Sequence, residues 1–196
     1  MSSSTTPTTT TPPTTTPPPV SPKSFSITDF RTKIGNIVRP NLWYAELTSG
    51  ATGTSTTISS MPNFGFRCES TTLPGRTIAT IDDVGSGPPL KLPYDMNYAD
   101  IEITVICSSD MAERKAFESW MDSVVSRSGR VNYHSSYARG NMLTLSQLAE
   151  NGTTLITYNL MDVYPIQISA MNLSWEDSNT YQRFTATLCY RQHKIS

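Results

Sequence analysis

Histidine occurs only twice in this chain, as His134 and His193, and cysteine three times, as Cys68, Cys107 and Cys189. A zinc site draws three or four ligands from clustered pairs, so three isolated cysteines do not supply one. Cys107 ends an apolar strand face and reads as a small core residue. An odd count at wide spacing disfavours a disulfide framework and suits a reducing assembly compartment. C-x-x-C, H-E-x-x-H, G-x-S-x-G and Walker patterns are all missing. Catalysis needs a few convergent polar groups, so the expectation is no enzyme, no cofactor and no metal. No run approaches the ~18 apolar residues of a membrane span. Residues 2–19 are all Ser, Thr or Pro, which leaves no basic or apolar segment for a secretory signal. Fifteen Lys and Arg stand against 16 Asp and Glu, a formal net charge of −1. That balance gives no general attraction to nucleic acid or an anionic membrane.

What is present changes sharply near residue 24. Residues 1–24 form a Ser/Thr/Pro arm, including Pro17, Pro18 and Pro19, with almost nothing to bury. Its natural states are coil and polyproline II. Residues 25–196 read as one globular domain. A short helix or turn is expected over 26–37. Period-2 alternation follows, the pattern of half-buried strands. Residues 39–47 open the first strand, with Trp43, Ala45 and Leu47 on one face and Pro40 at its start. After a Ser/Thr/Gly loop over 48–60, Phe64, Phe66 and Cys68 are expected to share a strand face. Leu73-Pro74-Gly75 signals a turn. Residues 76–93 are rich in Gly and Pro and read as an exposed hairpin or long loop.

Ile101, Ile103, Val105 and Cys107 mark the clearest strand. A helix follows, with Asp110 and Glu113 as a capping box. Phe117, Trp120, Met121, Val124 and Val125 form its buried stripe, and Ser128-Gly129 ends it. Residues 142–148 and 154–160 flank Asn151-Gly152, a hairpin signal. Tyr164-Pro165 breaks the run, and a phase shift after Ile166, Ile168 and Ala170 suggests a bulge near Ala170 before Met171, Leu173 and Trp175. Phe184, Ala186, Leu188 and Tyr190 close the chain's alternating strands. Trp43, Trp120 and Trp175 all sit in patterns that predict burial. The sum is about seven or eight strands and one substantial helix without βαβ rhythm: a mainly β (α+β) domain, an antiparallel β-sandwich or small barrel with one flanking α-helix.

Asp82, Asp83, Asp95, Asp100 and Glu102 are best read as solvated charges, since nothing holds any two across a scissile bond. Gly85-Ser86-Gly87 lacks the Lys and helix start of a phosphate cradle. With no site in view, the sheet edges become the candidate working parts. Exposed edges pair with further copies, and heterologous contacts close into rings.

The chain resembles the tail tube proteins of contractile, T4-like bacteriophages. The resemblance rests on residues 39–47, on Phe64 to Gly75, on the strand Tyr98 to Cys107 and on Phe117 to Met121. It continues through Tyr164 to Gln167, Leu173 to Asp177 and Phe184 to Leu188, in order over residues 37–191. It implies stacked hexameric rings whose lumen conducts the genome, with a contractile sheath outside. The implied partners are further copies, tail sheath protein, baseplate or tube initiator proteins, and genomic DNA passing without specific binding. The implied location is the tail of a virion, assembled in the host cytoplasm. The segment after the Leu-Pro turn is implied to join neighbours, which here means Leu73, Pro74, Gly75, Arg76, Asp82, Asp83, Pro93 and Asp95. Asp82, Asp83 and Asp95 would repel DNA phosphates, and the near-zero net charge is compatible with a conduit. The rival readings are a baseplate-proximal tube initiator, a type VI secretion-like tube protein and, from another class, a secreted glycan-binding or adhesin module.

Overall fold

The computed structural model of the chain describes residues 27–28, 32, 35, 37–50, 61, 63–85, 87–176 and 179–196. Two units are distinguished, residues 1–37 and residues 38–196. In the first, Ile27, Thr28 and Thr32 are helical, and the Thr32 hydroxyl donates to the Thr28 carbonyl at 2.9 Å. Gly35 and Ile37 of the same stretch are not helical; the Ser/Thr/Pro arm and the other residues of the short helix or turn expected over 26–37 lie outside the described residues, as do residues 51–60 of the loop before Met61.

Among the described residues the second unit holds ten strands. They are β1 (Trp43–Thr48), β2 (Cys68–Thr71), β3 (Arg76–Asp83), β4 (Leu90–Tyr98) and β5 (Ile101–Ile106), then β6 (Met142–Leu148), β7 (Thr154–Met161), β8 (Tyr164–Ile168), β9 (Arg183–Cys189) and β10 (Gln192–Ile195). Three helices join them: α1 (Phe64–Arg67), α2 (Ala112–Val124) and α3 (His134–Tyr137). One sheet runs β1-β6-β7-β10, a second β2-β5-β9-β8, and β3 pairs with β4 alone. Every paired strand is antiparallel to its neighbour.

The core lies between the two four-stranded sheets. Ala45, Leu143, Leu145 and Leu160 come from the first; Ile101, Ile103, Val105, Phe184, Ala186 and Leu188 come from the second. Alternation explains the choice, because cross-strand partners such as Ile103 and Ala186 share a face. Phe117 and Trp120 of α2 close the flank, with Phe117 edge-on to Phe184 at 5.5 Å between centroids. Each such fully buried side chain contributes about 1.5–3 kcal/mol. The expected sandwich with one flanking helix is therefore the observed architecture.

Several local expectations are corrected. Phe64 to Arg67 is a helical turn rather than strand, so Phe64 is buried while Phe66 is exposed. Gly65 explains the turn's position: a Cβ there would run into the Ala45 carbonyl oxygen and the Tyr44 ring. Helix α2 has Met111, not Asp110, at its N-cap position, and Ser108 rather than Asp110 satisfies its first amide. The Ser108 hydroxyl accepts from the Ala112 amide at 3.3 Å, and the Glu113 carboxylate accepts from the Ser108 amide and hydroxyl, each at 2.8 Å. The helix ends at Val124, not at Ser128-Gly129; Val125 bridges to Val131 and is exposed. Met121 and Val124 are half-buried. The β8 bulge falls between Pro165 and Gln167, not near Ala170. Pro165 is tolerated because β8 is a sheet edge. Trp175 is fully exposed beside an exposed Leu173, in the connection between β8 and β9. The β6–β7 hairpin forms as expected, over the connection 149–153, where Asn151 accepts from the Thr153 amide and hydroxyl.

Two buried polar groups brace this frame. The Asn141 side chain donates to the Tyr137 carbonyl at 2.8 Å and the Val163 carbonyl at 3.4 Å, and accepts from the Gly50 amide at 3.2 Å. Glu113 pairs with Arg67 at 3.0 Å and joins α2 to the end of α1. Burial works to raise the Glu113 pKa, but the Ser108 hydrogen bonds and the Arg67 charge together hold it below the ordinary carboxylate value.

Candidate functional site

The sequence-predicted positions converge on one element. Arg76, Asp82 and Asp83 lie on β3, Pro93 and Asp95 lie on β4, and Leu73, Pro74 and Gly75 form the entry from β2. The expected hairpin over 76–93 is present and longer, its second strand running to Tyr98.

The ribbon is apolar on both faces. Ile78 pairs with Met96, and across the strands from Thr80 lies Pro93, leaving Tyr94 as the extra residue of a bulge. Ile81 pairs with Leu92, and Asp83 with Leu90, on the opposite face. Ile78, Ile81, Val84, Leu90, Leu92, Tyr94 and Met96 are all exposed. No other strand pairs with the ribbon among the described residues. A lone two-stranded hairpin is marginally stable at best, and a half-wet sheet normally keeps its apolar residues on one face. A ribbon with apolar residues on both faces is incomplete by itself.

The three acids do not form one cluster. Asp82 shares a face and a pair with Lys91, whereas Asp83 and Asp95 share the opposite face. The Asp95 carboxylate accepts from the Met96 amide at 2.7 Å.

An aromatic cluster that sequence reading missed holds the root. The Tyr190 hydroxyl donates to the Gly75 carbonyl at 3.5 Å, and the Ala99 amide donates to the same oxygen at 3.3 Å. His193 packs edge-on to Tyr98 at 5.2 Å and lies 6.0 Å from the rings of Tyr158 and Tyr190. Its Nδ1 is buried without a hydrogen-bond partner. Burial first, and the nearby Arg76 charge second, push its pKa down. These residues come from β4, β7, β10 and the link between β9 and β10, so no local pattern announces them.

Beside the root lies a groove of about 140 Å³ lined by Pro40, Trp43, Thr71, Leu73, Leu145, Ser146 and Gln147. Of these, Leu73 alone was among the expected joint residues, whereas Pro40 and Trp43 were read as parts of the first strand. A shallower polar groove on the other sheet is lined by Glu69, Ser70, Thr104, Ser169, Arg183, Phe184 and Thr185. Its rim is fixed by the Arg183–Glu69 ion pair at 2.8 Å and by the Tyr181 hydroxyl donating to Glu69 at 2.9 Å. The three cysteines are free thiols, and burial pushes Cys68 up to about 12. Among the described residues, no group of three His, Cys, Asp or Glu is placed to hold a metal ion.

A closed sandwich carrying an incomplete ribbon defines a structural subunit made to associate. The model of the phage tail tube protein family matches residues 32–196, and the chain belongs to that family as a structural tail tube subunit. It is similar to tail tube protein gp19 of Enterobacteria phage T4, at 21% identity over 155 residues that cover 79% of this chain and 89% of that protein. The corresponding protein of Enterobacteria phage T6 gives the same identity and coverage. Among solved structures, the sheath/tube terminator of an extracellular contractile injection system (PVC, extended state) superposes with a TM-score of 0.59. That match is 15% identical and covers 83% of this chain and 99% of the other. The tube terminating cap of the anti-feeding prophage gives 0.59 at 15% identity, covering 88% and 99%. At such identities the two structures establish a shared fold.

Proposed function

We propose that this subunit closes into hexameric rings that stack into a hollow tube, and that the β3–β4 ribbon, from Leu73 to Asp95 with its root, is the joint between copies. The observation that carries the reading is the apolar residue set on both faces of a ribbon that has no other strand to pair with. Covering both faces takes more than one neighbour, which suits a lattice better than a simple dimer. The relatives described as sheath-tube and baseplate structures support a sheath on the outside and a baseplate at one end.

In this reading the lumen passes the genome without binding it. Asp83 and Asp95 act together on one ribbon face and Asp82 acts separately, so they do not form a single repelling patch. Reversing each set to Lys and timing DNA release from assembled particles tests that part; unchanged release from both variants removes it.

The tube itself is tested by negative-stain electron microscopy with mass photometry on the purified chain. Six-fold rings or hollow tubes are expected. A monomer that persists at high concentration with a baseplate template supplied sinks the assignment.

A further inference from the structure

We propose that the tip of the β3–β4 ribbon of one copy docks in the groove beside the ribbon root of the next, a joint that rests on the tube reading above and specifies its contact. The groove is apolar along Pro40, Trp43, Leu73 and Leu145, and Thr71 forms part of its lining. Its volume of about 140 Å³ is close to the ~150 Å³ of a cavity that accepts one benzene-sized group. The tip supplies the matching knob. Val84 and Leu90 flank the turn and are 79% and 61% exposed. Pro88 and Pro89 stiffen the return of the chain.

The two halves of the joint cannot meet within one chain. From Gly75 at the root to Val84 at the tip is nine residues of extended chain, roughly 30 Å at ~3.3 Å per residue. The groove contains Leu73, two residues before that root. Knob and hole therefore lie at opposite ends of the ribbon. Each copy offers one of each, so the contact is heterologous: every joint leaves a free tip at one end and a free groove at the other.

Two full-length variants separate the halves. Val84→Asp with Leu90→Asp spoils the tip, and Leu73→Glu puts a charge in the groove at a half-exposed loop position. Each alone raises the concentration needed for tube growth at least about tenfold, the effect of losing one anchoring side chain at an interface. Mixed one to one, the intact tip of the second fits the intact groove of the first. Growth then stops after that single joint, and mass photometry reads a doublet of the assembly unit. Long tubes from either variant alone at the concentration where the unchanged chain first grows them, or no doublet on mixing there, overturns the proposal. A photo-cross-linker at position 84 in otherwise unchanged chain gives a reading independent of those substitutions. Links to the segment holding Leu73 or Trp43 of another copy support the joint; links elsewhere overturn it. If the unchanged chain builds no rings or tubes, the tube reading itself fails; if it builds them and Leu73→Glu does too, only the joint fails.

Discussion

Strands β5 and β3 both carry aliphatic residues between polar ones, yet they end in opposite environments. Ile101, Ile103 and Val105 of β5 are wholly buried, whereas Ile78 and Ile81 of β3 stand in solvent. The difference lies in spacing. The β5 residues sit two apart and share one face, which packs into the sandwich. Ile78 and Ile81 sit three apart and point to opposite faces, so no single sheet can cover both. A strand that satisfies itself and a strand that needs neighbours are thus told apart by one residue of phase.

That comparison yields a graded set of outcomes. Phe117→Ala strikes the self-sufficient region and costs about 4 kcal/mol in urea unfolding, by lost burial and the cavity left behind. Asn141→Leu costs about 3 kcal/mol in the same assay, because the Gly50 amide and the Tyr137 carbonyl lose their buried partner. Glu113→Gln costs about 2 kcal/mol at neutral pH and flattens an acid limb. Because the folded pKa lies below the ordinary 4.5, the native chain holds this contribution above 4.5 and loses it as pH falls through the folded value. His193 acts at the ribbon root with a smaller effect. Its folded pKa is also depressed, so root stability is full above the ordinary 6.5 and declines as pH falls from 6.5 toward the folded value. His193→Phe removes that decline in hydrogen exchange at Tyr98 and Ala99, at under about 1 kcal/mol. Ile81→Thr with Leu92→Thr changes the monomer least, within about 0.5 kcal/mol, while abolishing ring or tube formation. A large loss of monomer stability from that last pair would erase the distinction between the two regions.

Regular periodicity made most of the frame readable. β5, α2, the β6–β7 hairpin and β9 each repeat an apolar position often enough to declare a buried face. Phe64-Gly65-Phe66 misleads because alternation over three residues fits strand or turn alike, and a distant backbone oxygen at Ala45 decides. Trp175 misleads for another reason: Met171, Leu173 and Trp175 alternate, but no strand pairs with them among the described residues. The ribbon was readable as exposed from its Gly and Pro, although its apolar residues were undercounted. On β3 its two-faced character lies in the spacing of Ile78 and Ile81, but how β4 completes each face depends on the register of β3 against β4 and on the bulge at Tyr94. The root cluster was invisible because Tyr98, Tyr158, Tyr190 and His193 are brought together only by the fold.

Gly65 also bears on ancestry. At 21% identity to the T4 relative, most positions have been free to drift. The space beside Gly65 is closed by the Ala45 carbonyl oxygen and the Tyr44 ring; the ring can be exchanged for a smaller side chain but the backbone oxygen cannot, so a side-chain change alone makes no room for a Cβ there. Where a descendant lineage has lost this glycine, the turn before β2 must have been rebuilt with it, and the two changes should be inherited together.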